Sequence, residues 1–161
     1  LQKSDGRQLV SGRLRMSGET VRSRTTLTIC RTCRPEGGPS EAEPPGAALG
    51  RAAAEAARRL GPEAGVEVRA IPCLSACGRA CSASVSAPEK FSYVIGGLAP
   101  EDAGDLVAFA RAHAESADGV PPWRARPEKV RKNTVARVPP AGCDHALVEE
   151  VREAEDVIPG R

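Results

Sequence analysis

Five of the six cysteines fall into two close groups, Cys30-x2-Cys33 and Cys73-x3-Cys77-x3-Cys81. Thiols gathered at such spacing can ligate a metal ion or an iron-sulfur cluster, because a thiolate is a strong, soft donor and two loops can supply four of them. Histidine is nearly absent, with only His113 and His145 in the chain. A site drawn from these groups is therefore all thiolate, which favours zinc or iron-sulfur over the mixed nitrogen and oxygen sites of most catalytic metals. The same Cys30-x2-Cys33 spacing also fits a thiol-disulfide redox pair.

The elements that must position these thiols can be read from periodicity. Thr25 to Ile29 alternates β-branched and aliphatic residues and ends in Cys30, so a first strand delivers a thiol at its C-terminal end. Pro35 to Gly46 holds four prolines and three glycines, a loop rather than a helix. From Ala47 to Leu60, Leu49, Ala53, Ala56 and Leu60 recur at helical spacing, and Gly61-Pro62 closes the helix. Val66 to Ile71 alternates again and leads through Pro72 into Cys73. A strand, a helix and a parallel strand make a right-handed crossover, which brings both cysteine groups to one sheet edge. Ser82 to Ser86 and Phe91 to Ile95 form a hairpin around Ala87 to Lys90. A last helix starts near Pro100 and carries Leu106, Phe109, Ala110 and His113. With both hairpin strands counted the order is β-α-β-β-β-α, and the expected fold is the thioredoxin-like α/β core, β-α-β-β-α, with a mixed sheet.

On these motifs the chain resembles known proteins. Cys73-Leu-Ser-Ala-Cys77-Gly after a strand, followed by a hairpin and a C-terminal helix, is similar to the second half of the thioredoxin-like 2Fe-2S ferredoxins. In that resemblance Cys30 matches the first ligand, and Cys73 and Cys77 match the last two. Those ferredoxins separate their first two cysteines more widely and have Gly-Pro where this chain has Ala80-Cys81. Five thiols therefore compete for four places. Ile29-Cys-Arg-Thr-Cys33, Cys73 to Cys81, Gly96-Gly-Leu98 and Val120-Pro-Pro-Trp123 resemble more closely a family of uncharacterised bacterial proteins described as predicted metal-binding. That resemblance covers about Thr25 to Pro140 and implies a link to cobalamin biosynthesis.

The preferred ligand set is Cys30, Cys33, Cys73 and Cys77 around a 2Fe-2S cluster, with Cys81 in reserve. Arg31, Arg34 and Arg79 are interleaved with these residues and would favour a negatively charged cluster, or be solvated loop residues. Zinc in a closed tetrahedral site is the main alternative. A dithiol redox protein is the third reading, opposed by the proline-rich loop, which keeps a helix from starting across Cys30 and Cys33. His113 reads as a packing residue, and Cys143-Asp-His145 as an incidental pairing in a charged tail. There is no glycine-rich phosphate loop and no carboxylate pair suited to hydrolysis, so the expected role is an electron carrier or redox adaptor rather than a catalyst.

A net charge of +2 over 161 residues gives no global argument for nucleic acid. No apolar run approaches the ~20 residues of a membrane span, and the expected location is the cytoplasm. Residues 1–24 carry six Lys or Arg against two acidic residues and read as a disordered extension, with Met16, the only methionine, as the expected natural start. Residues 25–140 form the expected domain and 141–161 an acidic tail, in which Leu147 and Val151 fit one side of a short helix. Pro121 to Pro140 carries six basic residues and one acidic one. It is expected to run extended over the surface, where it either packs back with Trp123 covered or, from Trp123 to Arg137, docks a redox or metal-handling protein partner through its positive charge.

Overall fold

The computed structural model describes residues 24–40 and 42–151. The rest of the N-terminal extension, with the expected start at Met16, and the end of the acidic tail lie outside the described residues. Strand β1 is Thr25–Cys30. Its alternation sorts Thr25, Leu27 and Ile29 into the core and leaves Thr26 and Thr28 half-buried on the other face. Helix α1 runs Pro45–Leu60, with proline at its first position and Gly61 at φ 81° after its last turn. Strand β2, Val66–Ile71, lies parallel to β1, with Cys30 opposite Ile71. The hairpin strands β3, Ala83–Ser86, and β4, Ser92–Ile95, follow, and then helix α2, Ala103–Glu115.

The sheet order β2-β1-β3-β4, parallel in the first pair and antiparallel in the others, is that of the thioredoxin-like core. Helices α1 and α2 pack on each other and on one face of the sheet. Leu49 and Ala53 from α1 and Leu106, Phe109 and Ala110 from α2 meet Leu27, Ile29, Val85, Tyr93 and Ile95. With so few aromatic residues, Tyr93 and Phe109 are spent on one edge-to-face contact at 5.0 Å near the centre. His113 is fully buried. Its Nε2 donates to the Phe91 carbonyl at 2.7 Å, which fixes the tautomer, and Nδ1 accepts from the Thr25 hydroxyl at 2.8 Å. The packing role read for it in the sequence holds.

The basic C-terminal segment departs from expectation. It is not simply extended: a 3-10 turn at Trp123–Ala125 leads into helix α3, Glu128–Asn133, and then strand β5, Thr134–Val138, which pairs antiparallel with β4. The sheet thus has five strands. Val130 is the cause, because this one apolar side chain among charged residues is fully buried and anchors the segment in the core. Trp123 is 62% exposed, with the Arg126 and Arg131 guanidinium groups 5.8 and 5.5 Å from its ring centroid. The acidic tail also differs, since Asp144 to Val151 forms turns and no helix. Both nitrogens of His145 are engaged there, Nε2 by the Asp118 carboxylate at 3.0 Å and Nδ1 by the Leu147 amide at 3.1 Å. Cys143-Asp-His145 therefore offers no free imidazole for a metal.

Candidate metal centre

Parallel pairing of β1 and β2 releases the chain at the same edge twice. The Arg31 amide donates to the Ile71 carbonyl at 2.9 Å, and the Thr32 hydroxyl donates to the Pro72 carbonyl, so the first cysteine loop is laced to the second. The Cys30 thiol donates to the same Pro72 carbonyl at 3.5 Å. Behind the first loop stands α1. The Gly46 amide donates to the Cys33 carbonyl at 3.2 Å, and a Cβ at Gly46 would lie 2.1 Å from the Cys30 carbonyl oxygen. Only glycine lets the helix start against this turn. The proline-rich loop does keep α1 from beginning at the cysteines, yet it returns the helix N-terminus to them.

The second loop is pinned from the other side. Cys81 and Leu98 exchange backbone hydrogen bonds at 3.3 and 3.0 Å, and the Gly97 amide donates to the Arg79 carbonyl at 2.8 Å. Gly96 is held so close to Arg79 that a Cβ would come within 2.6 Å of the Arg79 Cβ. The Gly96-Gly-Leu98 motif is thus the seat on which the cysteine loop rests. Gly78 faces open space.

The four preferred thiols come together as two pairs. Cys30 and Cys33 are buried neighbours whose thiols act on one another, whereas Cys73 and Cys77 are exposed neighbours that do the same. Charge on Cys30 adds a small push upward on Cys77, behind the larger effect of Cys73. Burial acts to raise the Cys30 thiol, but the Leu74 amide, the Cys33 thiol and Thr32 together hold it below its ordinary value. Burial raises Cys33, with Cys30 adding to the rise and the Ser82 hydroxyl, 3.6 Å from its sulfur, working against it. Cys77 is raised by the hydrogen bond and charge of Cys73. Cys81 is fully buried, donates to the Cys33 carbonyl at 3.6 Å, and is pushed up to about 11 by burial and by the charges of Cys33 and Cys30. It lies beneath the first pair rather than beside the second.

No three Cys, His, Asp or Glu side chains among the described residues converge as tightly as a single bound ion requires. The thiols are gathered two and two. Ser82, Gly46 and the Leu74 amide are supporting residues that sequence spacing did not reveal, since each reaches Cys30 or Cys33 only through the fold, whereas Thr32 stands within the Cys30-x2-Cys33 motif itself.

Fold and site together define a thioredoxin-like α/β protein with a thiol cluster at the C-terminal edge of its parallel strand pair. Residues 27–140 match DUF1636, described as a protein of unknown function, and the chain belongs to that family. Among solved structures it is similar to a thioredoxin-like 2Fe-2S ferredoxin from Aquifex aeolicus, at 18% identity over 76% of this chain and 99% of that one, with a TM-score of 0.47. A structure of the wild-type thioredoxin-like 2Fe-2S ferredoxin from the same organism gives 18% identity, 71% and 98% coverage, and a TM-score of 0.44. No curated protein matches the chain significantly. Strand order and connectivity, rather than these scores, define the fold. Among the described residues no helix is long and apolar enough to cross a membrane.

Proposed function

We propose that the chain is an iron-sulfur protein whose Cys30, Cys33, Cys73 and Cys77 hold a 2Fe-2S cluster, and that it carries electrons to or from a protein partner. The observation that carries this reading is the two-and-two gathering of thiols at one sheet edge, which suits a centre that takes two thiolates on each of two metals. One-electron transfer is the chemistry such a cluster supplies when bound. Cys30 and Cys33 are held rigidly by β1 and the first turn of α1, out of water. Cys73 and Cys77 sit on the exposed side, where a partner can approach. Arg31 and Arg79 form no ion pair among the described residues and would offset the charge of four thiolates, whereas Arg34 is tied to the Pro39 and Ala42 carbonyls.

Partner docking falls to the basic C-terminal segment. Arg124, Arg126, Arg131 and Arg137 have no carboxylate partner among the described residues, while Lys129 and Lys132 are spent on Asp102 and Glu128. Three of the four arginines lie over the rings of Trp123, Tyr93 and Phe91, which leaves their in-plane N–H donors available to an acidic surface, apart from the Arg126 Nε that donates to the Pro121 carbonyl at 2.8 Å. A link to cobalamin biosynthesis is implied by the family resemblance and by nothing in the geometry.

Protein purified without oxygen after iron-supplemented expression is expected to be reddish brown, with visible charge-transfer absorption and two irons and two sulfides per chain. A colourless protein with one zinc per chain would instead establish the second reading. That reading needs all four sulfurs at about 2.3 Å from one ion, so the two pairs would have to close on each other.

A further inference from the structure

Strand β2 is the outermost strand on its side of the sheet, paired with β1 alone. Among the described residues nothing covers its free edge. An open edge carries unpaired backbone N–H and C=O groups and invites another strand, and proteins ordinarily blunt it with proline, a bulge or charged side chains, lysine above all. Val66-Glu-Val-Arg-Ala-Ile71 has no proline, bulge or lysine, and its two charges, Glu67 and Arg69, are opposite in sign and paired with each other. Its apolar face is only partly covered, with Val66 and Val68 packed at the margin of the core. Leu27 and Ile29 of β1 are fully buried, but their neighbours Val68 and Ala70 in the register are half-buried and exposed. Two cavities of about 420 and about 330 Å³ run between β2 and α1, meeting at Ala54 and Val68.

The strand is complementary to itself. Laid antiparallel on a second copy about a two-fold axis at Val68, it sets Glu67 opposite Arg69 of the other copy, Arg69 opposite Glu67, and Val66 opposite Ala70. Glu67 and Arg69 both lie on the face away from the helices, opposite Thr26 and Thr28, and are already joined at 2.9 Å within the strand. Two copies therefore close a ring of four alternating charges on one face and bring the two half-buried Val68 side chains together on the other. Competing registers fail. A one-residue slip turns apolar side chains toward charged ones, and a two-residue slip sets Glu67 against Glu67 or Arg69 against Arg69.

We propose that the chain forms a symmetric dimer through β2, joining two five-stranded sheets into one. This assignment is independent of what the cysteines bind. Sedimentation of the full chain across a dilution series is expected to show a species of twice the 16.8 kDa chain mass. Glu67→Arg and Arg69→Glu each place like charges opposite one another twice per dimer, and should raise the dissociation constant by about tenfold or more. The double variant Glu67→Arg/Arg69→Glu should recover the wild-type constant, and an equimolar mixture of the two single variants should dimerise with each other. That mixture also shows that both single variants are folded. A wild-type chain that stays monomeric at every concentration overturns the proposal, including the case in which β2 instead takes an acidic strand from another protein. So does a dimer indifferent to the single substitutions, or one that the double variant fails to restore.

Discussion

Substituting Gly46 and Gly50, one turn apart on α1, by alanine should have opposite effects. Helix propensity favours alanine over glycine by up to about 1 kcal/mol at either position. At Gly50 the added Cβ would meet the Ile29 side chain at 3.8 Å, an ordinary contact, so the propensity gain survives. At Gly46 it would fall 2.1 Å from the Cys30 carbonyl oxygen and 3.1 Å from the Cys33 Cβ and amide nitrogen. Relief to ordinary contact at 3.4 Å takes a displacement of about 1.3 Å of the helix start or of the cysteine turn. Neither can move freely, because the Gly46 amide holds the Cys33 carbonyl and β1 is paired on both sides. An overlap this deep falls in the upper part of the range for overpacking, about 2–3 kcal/mol, and less a propensity gain of about 1 kcal/mol the net loss is about 1–2 kcal/mol. The melting temperature should fall by about 2–8 °C for Gly46→Ala and rise slightly for Gly50→Ala. Urea unfolding of the protein with and without bound metal, together with metal content per chain, reads both the fold and the site. A Gly46→Ala protein as stable and as fully loaded as the wild type would refute the claim that α1 is seated on the cysteine turn.

The remaining predictions concern the thiols, one histidine and the basic segment. Serine at Cys30, Cys33, Cys73 or Cys77 should abolish or visibly alter the iron-sulfide absorption, whereas Cys81→Ser should keep most of it. Loss at Cys81 with retention at Cys33 would reverse their roles. Burial holds the His113 ring neutral, below its ordinary value of 6.5, so as pH falls through 6.5 the unfolded chain gains a proton that the folded chain refuses. Stability is therefore full above that pH and declines below it, and His113→Gln should be less stable overall but lose this decline between pH 6.5 and about pH 5, as read from urea midpoints. Replacing Arg124, Arg126, Arg131 and Arg137 by Gln should slow electron transfer to the partner and flatten its dependence on salt, with the visible spectrum unchanged. An unchanged rate across the salt series would remove the docking role.

The local elements were written in the chain. Alternation in Thr25 to Cys30 and Val66 to Ile71, the helical spacing from Leu49 to Leu60, and the turn residues between them specify strand, helix and parallel strand, because those periods reflect which side chains can share a buried face. The handedness of that crossover then brings two distant cysteine groups to one edge. Other features depended on contacts between segments far apart in sequence. Val130 drew a charged stretch into a third helix and a fifth strand, and a single buried valine leaves no periodic trace. Cys33 and Cys81 are alike as letters, yet the fold places Cys33 in contact with Cys30 and Cys81 beneath it. Gly46 looks like one more loop glycine until the helix it begins is packed against the Cys30 carbonyl. Spacing along a chain reports which side chains can share a face, whereas the approach of one backbone to another is set only when the layers close on each other.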